Sequence, residues 1–126
     1  MNTRQAADVW LRRAESNLRL AQMGKTEAVF FEDLCFEAQQ AAEKALKAVL
    51  IHLTGEYPKV HHIGLLIEHI EQYNGVPEEI RDAVALSNYA VQTRYPGDYT
   101  PVSEAEYEQA LLLAQTVVSW SKRQIA

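Results

Sequence analysis

Apolar residues recur along most of the chain at steps of three and four, the spacing that gathers side chains on one side of an α-helix. In the first segment they are Ala7, Trp10, Leu11, Ala14, Leu18 and Ala21, with Arg4, Arg12, Glu15 and Arg19 filling the other side. This predicts a helix capped by Thr3 and stopped at Gly24, where a residue tolerant of positive φ is expected. A longer stripe, Phe30, Leu34, Ala38, Ala41, Ala42, Ala45, Val49 and Leu53, predicts a second helix ending at Gly55. Five alanines between Ala38 and Ala48 leave room there for a close helical neighbour. After a turn around Pro58, the positions Ile63, Leu66, Ile67 and Ile70 predict a short third helix closed by Asn74-Gly75. Pro77, followed by Glu78 and Glu79, suits the start of a fourth helix, because proline fits the first helical position and carboxylates suit the positive end of the dipole. Its stripe is Ile80, Ala83, Val84, Ser87 and Val91, flanked by Leu86 and Tyr89, and it is expected to run to about Thr93. Arg94 to Pro101 reads as a loop punctuated by proline and glycine. Ser103 and Glu106 form a capping-box pattern. The fifth helix turns Tyr107, Ala110, Leu111, Ala114, Val117 and Val118 inward, with Lys122 and Arg123 near its negative end. No strand pattern or internal repeat interrupts this sequence. The expected fold is all-α, an antiparallel helical bundle of four long helices plus one short helix, in a single domain over residues 1–126.

Composition narrows the functional classes. The 126 residues are 48% hydrophobic and 23% charged, an ordinary globular balance that suits one core. The net charge of −5, from 17 acidic and 12 basic residues, counts against wholesale attraction to nucleic acid, so any RNA contact must be local. Cys35 is the only cysteine, which excludes an intramolecular disulfide and fits a reducing cytosol. Met1 to Arg12 lacks a hydrophobic leader core, and Lys47, His52 and Glu68 break the apolar runs short of the about 20 residues a membrane span needs. The expectation is a cytoplasmic protein with no membrane contact.

The phosphate-loop, metalloprotease and nucleophile-elbow motifs GxGxxG, GxxxxGK[ST], HExxH and GxSxG are all missing from the sequence. The four histidines, His52, His61, His62 and His69, do not share the helical spacing of a ligand set, so no metal and no cofactor is expected. Gln40, Glu43, Lys44 and Lys47 lie on adjoining turns of one helix face. They form either a solvated row of ion pairs or the wall of a cleft. Arg94 stands where a helix is expected to give way to a loop, a common place for functional groups on a rigid scaffold. Its guanidinium suits a phosphate held by two parallel hydrogen bonds, or a salt bridge to Asp98 that pins the loop. Tyr95 and Tyr99 suit either stacking on a base or covering the end of the bundle.

The run Phe36-Glu37-Ala38-Gln39-Gln40-Ala41-Ala42-Glu43-Lys44-Ala45-Leu46-Lys47-Ala48, then Gly55, then His61 before a short leucine-rich helix, then Thr93-Arg94-Tyr95-Pro96, resembles the prokaryotic HEPN (higher eukaryotes and prokaryotes nucleotide-binding) domain family. The resemblance covers nearly the whole chain in order. It implies a helical bundle that forms a homodimer and pairs with a minimal nucleotidyltransferase. It also implies kinship with metal-independent ribonucleases and toxins, in which an arginine is followed, after four to six residues, by a histidine. In that scheme the arginine holds the scissile phosphate and the histidine moves protons. The arginine matches as Arg94, but Tyr99, Thr100 and Pro101 occupy the positions where the histidine belongs. Tyrosine ordinarily ionises near pH 10, against about 6.5 for histidine, and so is a poor base near neutrality. The tyrosine that some family toxins present for adenylylation, two positions past the histidine, corresponds here to Pro101.

The resulting expectation is a nucleotide- or nucleic-acid-end-binding homodimer working with a nucleotidyltransferase. Arg94, Tyr95, Lys44, Lys47, Gln40 and Asp98 are its candidate binding residues. The alternative is a ribonuclease toxin using Arg94 with His61 or Tyr99, and a third reading is a bundle with no working site. The apolar residues Leu86, Leu112, Leu113 and Trp120 are expected on an exposed face, which favours a dimer.

Overall fold

The computed structural model describes residues 1–90 and 100–126. Its elements are helices α1 (Thr3–Ala21), α2 (Phe31–Thr54), α3 (Ile63–Glu71) and the single turn α4 (Glu78–Arg81), a 3₁₀ helix (Asp82–Tyr89), and α5 (Glu104–Ile125). The bundle is all-α, as expected from the periodicity.

Helix α2 is the central element and packs against α1, α3, α5 and the 3₁₀ helix. Its alanines Ala38, Ala41, Ala42, Ala45 and Ala48 are all fully buried. Helix α2 packs extensively on α1, whose Ala7, Leu11, Ala14 and Ala21 are buried as well. Thin side chains on both helices allow the close approach that then buries the backbone-proximal surface of α2 on nearly every side.

The helix ends follow local chemistry. Helix α1 is capped by Asn2, not Thr3: Asn2 Oδ1 accepts from the Gln5 N–H at 2.8 Å, and Gln5 Oε1 accepts from the Asn2 N–H at 3.0 Å. This is a complete capping box one residue earlier than expected. The C-cap of α1 is Gln22, with Gly24 two residues beyond at φ +83°. Gly55 closes α2 at φ +76°, a left-handed conformation in which its N–H bonds the Ile51 carbonyl. Ser103 caps α5 by accepting from the Glu106 N–H at 3.1 Å, while the Glu106 carboxylate takes the Tyr89 hydroxyl at 3.2 Å.

The expected fourth helix differs most. After one α-turn the chain tightens to 3₁₀ geometry, and the buried side follows a step of three: Ile80, Ala83 and Leu86 are fully buried, and Tyr89 is half-buried. Val84, placed inward by a 3.6-residue period, is instead 40% exposed. A 3₁₀ helix repeats every three residues, so the apolar series at 80, 83, 86 and 89 selects it over an α-helix. The rest of that expected helix, from Val91 to Thr93, lies outside the described residues.

Leu86 and Trp120 are buried rather than on an outer face, and Leu113 is half-buried. Of the four residues expected to offer apolar surface for a dimer, only Leu112 is exposed, at 56%. Among the described residues no helix is long and apolar enough to cross a membrane.

Candidate functional site

The polar row of α2 is not a solvated face. Glu43 and Lys47 are each only 7% exposed, and Gln39 beside them is 2% exposed. The reason lies in the residues around them: from Ala41 to Ile51 nearly every direction around the helix axis carries an apolar side chain, so neighbours cover the helix all round. The polar members of the row go inside with it.

Burial of charge requires partners. The Lys47 ammonium has three: Glu43 Oε2 at 3.8 Å, His61 Nδ1 at 2.9 Å, and the face of Trp10, whose centroid lies 5.3 Å from Nζ. Trp10 comes from α1 and His61 from the extended segment before α3, so three parts of the chain converge on one lysine. Burial pushes the Glu43 carboxyl above its ordinary range, and the positive charges of Lys47, His61, Lys44 and His62 oppose that rise without cancelling it. Gln40, half-buried, donates from Nε2 to Gln39 Oε1 at 2.8 Å. Lys44 is half-buried one turn before Lys47.

His61 is exposed at the mouth of this cluster. Its neighbour His62 plays a separate part and caps α3, with Nδ1 accepting from the Gly64 N–H at 3.0 Å. Among the described residues no group of three or more histidine, cysteine, aspartate or glutamate side chains is placed to hold a metal ion. Arg94, Tyr95, Asp98 and Tyr99 lie outside the described residues, and so does the Arg94–Asp98 salt bridge weighed for them. The chain re-enters the described structure at Thr100, and Val102 is anchored by its N–H to Glu32 Oε2 at 3.2 Å.

The HEPN family model matches residues 7–124, which is nearly the whole chain. The chain belongs to the HEPN domain family. Two solved structures resemble this HEPN domain over its length. TT1696 from Thermus thermophilus is 36% identical, with 98% of this chain and 99% of that chain covered and a TM-score of 0.80. ST0689, described as an archaeal HEPN homologue, is 28% identical, with 95% and 98% covered and a TM-score of 0.75. No curated protein matches the chain.

Within the HEPN bundle the structure brings together Lys47 and His61, two residues that sequence reasoning assigned to different roles. Trp10 and Glu43 complete the cluster and were not singled out as site residues in the sequence. In the sequence Trp10 is one more member of the α1 apolar stripe, and Glu43 belongs to a row that fits either solvated ion pairs or the wall of a cleft. The signal that distinguishes them is the apolar surround of the Glu43-x-x-x-Lys47 pair. A hollow of about 270 Å³ lies elsewhere, lined by Tyr57, Lys59, His69 and Tyr73 together with Leu50 and Val60, and none of the candidate site residues lines it.

Proposed function

We propose that this HEPN domain, a single unit over residues 1–126, acts in the cytoplasm as a homodimer that binds a nucleotide or nucleic-acid end. In this reading it works with a minimal nucleotidyltransferase in a toxin–antitoxin-like pair. The observation that carries the reading is the buried Glu43–Lys47 pair with His61 on its open side. An ion pair taken out of water adds little stability compared with apolar packing, so one kept inside an alanine-lined helix points to use. Lys47 and Lys44 supply local positive charge on a chain of net charge −5, as a phosphate group needs. Gln40 offers an amide beside them. The reading further assigns Arg94, Tyr95, Asp98 and Tyr99 to ligand binding by their chemistry alone, since a guanidinium suits a phosphate held by two parallel hydrogen bonds and a tyrosine ring suits stacking on a base.

The test is a titration with a 5′-phosphorylated RNA trinucleotide, together with light scattering. The reading expects a dimeric mass, and stabilisation of about 2.7 kcal/mol at a hundredfold excess of ligand over its dissociation constant. No stabilisation at any concentration, or a monomeric mass at micromolar protein, contradicts it.

The second reading is a metal-independent ribonuclease toxin that uses Arg94 with His61 or Tyr99. Its support is the exposed imidazole of His61. It expects turnover of RNA and harm to the host when the protein is expressed alone.

A further inference from the structure

The contact between Lys47 and His61 assigns the direction of one hydrogen bond. An ammonium carries three donors and no acceptor, so at 2.9 Å the lone pair must belong to His61 Nδ1. The same ammonium faces Glu43 Oε2 at 3.8 Å and the Trp10 ring 5.3 Å away, so its position against the imidazole is fixed from two other sides. With Nδ1 accepting, the proton of a neutral imidazole sits on Nε2. No hydrogen bond engages Nε2 among the described residues, and His61 is exposed.

We propose that Lys47 is a positioning residue that holds His61 as the Nε2–H tautomer, so that the outward ring N–H donates a hydrogen bond to a phosphate oxygen of the ligand. This rests on the nucleotide-binding reading above and gives His61 a definite part in it. A ring fixed this way presents no lone pair to the solvent side. It can orient and polarise an anion, but it cannot take a proton from a ribose 2′-hydroxyl at Nε2. The same geometry therefore separates the two functional readings at the level of one atom. Glu43 and Trp10 act one step further back, by holding the Lys47 ammonium against Nδ1.

The experiment is long-range ¹H–¹⁵N correlation of the histidine rings in the full chain at about pH 8, where an ordinary imidazole is neutral. His61→Gln identifies the resonances. The wild type is expected to show the Nε2–H pattern at His61. Lys47→Met is expected to show a mixture of tautomers, and Lys47→Arg, which keeps a donor, to restore the single form. Adding adenosine 5′-monophosphate is expected to move the His61 Nε2–H signal, with affinity about tenfold weaker in Lys47→Met. A mixed or Nδ1–H pattern in the wild type overturns the proposal whatever the protein binds, and that measurement does not depend on any variant folding. If other resonances move with the nucleotide while His61 Nε2–H does not, the donor role is wrong and the binding reading stands. If no resonance moves with adenosine 5′-monophosphate or with the 5′-phosphorylated trinucleotide, the binding reading fails and the donor role fails with it.

Discussion

Lys47 Nζ stands 2.9 Å from His61 Nδ1, which ties the middle of the central helix to the segment that leads into α3. The same ammonium faces Glu43 in a pair whose side chains are 8% and 9% exposed. Replacing Lys47 by methionine keeps most of the length of the side chain and leaves a buried carboxylate without its cation. Breaking a buried pair from one side costs about 3 kcal/mol at pH 7. Urea unfolding of Lys47→Met should show that loss, and the Glu43→Gln/Lys47→Met double variant should recover part of it, because the two residues are coupled. A loss below about 1 kcal/mol, additive with that of Glu43→Gln, contradicts the buried-pair account.

The pH dependence of stability follows from the direction of the Glu43 shift. Burial raises its folded-state value above 4.5, so the folded protein holds that proton more tightly than the unfolded chain does. The stabilising contribution is complete below the unfolded value and is lost as pH rises through the folded one. The stability of the wild type relative to Glu43→Gln should therefore fall as pH rises above the ordinary glutamate value of 4.5. Lys44, Lys47, His61 and His62 face the same carboxyl, and comparison with the glutamine variant isolates Glu43 from the titration of those histidines. A difference that grows with rising pH contradicts the assignment.

Tyr107 joins the start of α5 to the end of α1: its hydroxyl donates to the Ala21 carbonyl, and its ring lies 5.2 Å from that of Phe31. The hydroxyl is pushed above its ordinary range chiefly by burial, with a further push from Cys35. Tyr107→Phe keeps the ring contact and removes the donor, leaving a carbonyl at a helix end without its partner. The expected cost is about 1–3 kcal/mol by thermal or urea unfolding. A neutral substitution contradicts the role given to this hydrogen bond.

Much of the fold is legible in the sequence because most helices bury a stripe with the 3.6-residue period. The stop at Gly55 is legible for a different reason, since only a left-handed residue fits that cap. The segment from Ile80 to Tyr89 misleads because its apolar residues satisfy two periods at once. Ile80 and Ala83 fit both, and only the burial of Leu86 together with the exposure of Val84 decides for a step of three. Trp120 and Leu86 read as surplus surface because a stripe drawn for one neighbour omits the others that surround a bundle helix. The site is less legible than the fold. The spacing of Glu43 and Lys47 fits an exposed ion pair as well as a buried one, and although Gly55 and Pro58 announce that the chain turns after α2, they do not fix which residue of the returning segment meets Lys47. Periodicity alone gives the bundle, and the passage from helix to loop marks Arg94, while the Trp10 contact needs three-dimensional packing.

The measurement that bears most directly on the central claim, a binding site without its proton carrier, is incubation of end-labelled RNA with the purified protein in EDTA. Arg94→Ala and Tyr99→His are run alongside, with both retention and cleavage recorded. The account predicts that the wild type retains RNA intact, that Arg94→Ala retains it more weakly, and that only Tyr99→His cuts it, because a histidine at that position restores a group able to exchange protons near neutral pH. Cleavage by the wild type that disappears in Arg94→Ala contradicts the account and makes the ribonuclease reading the correct one.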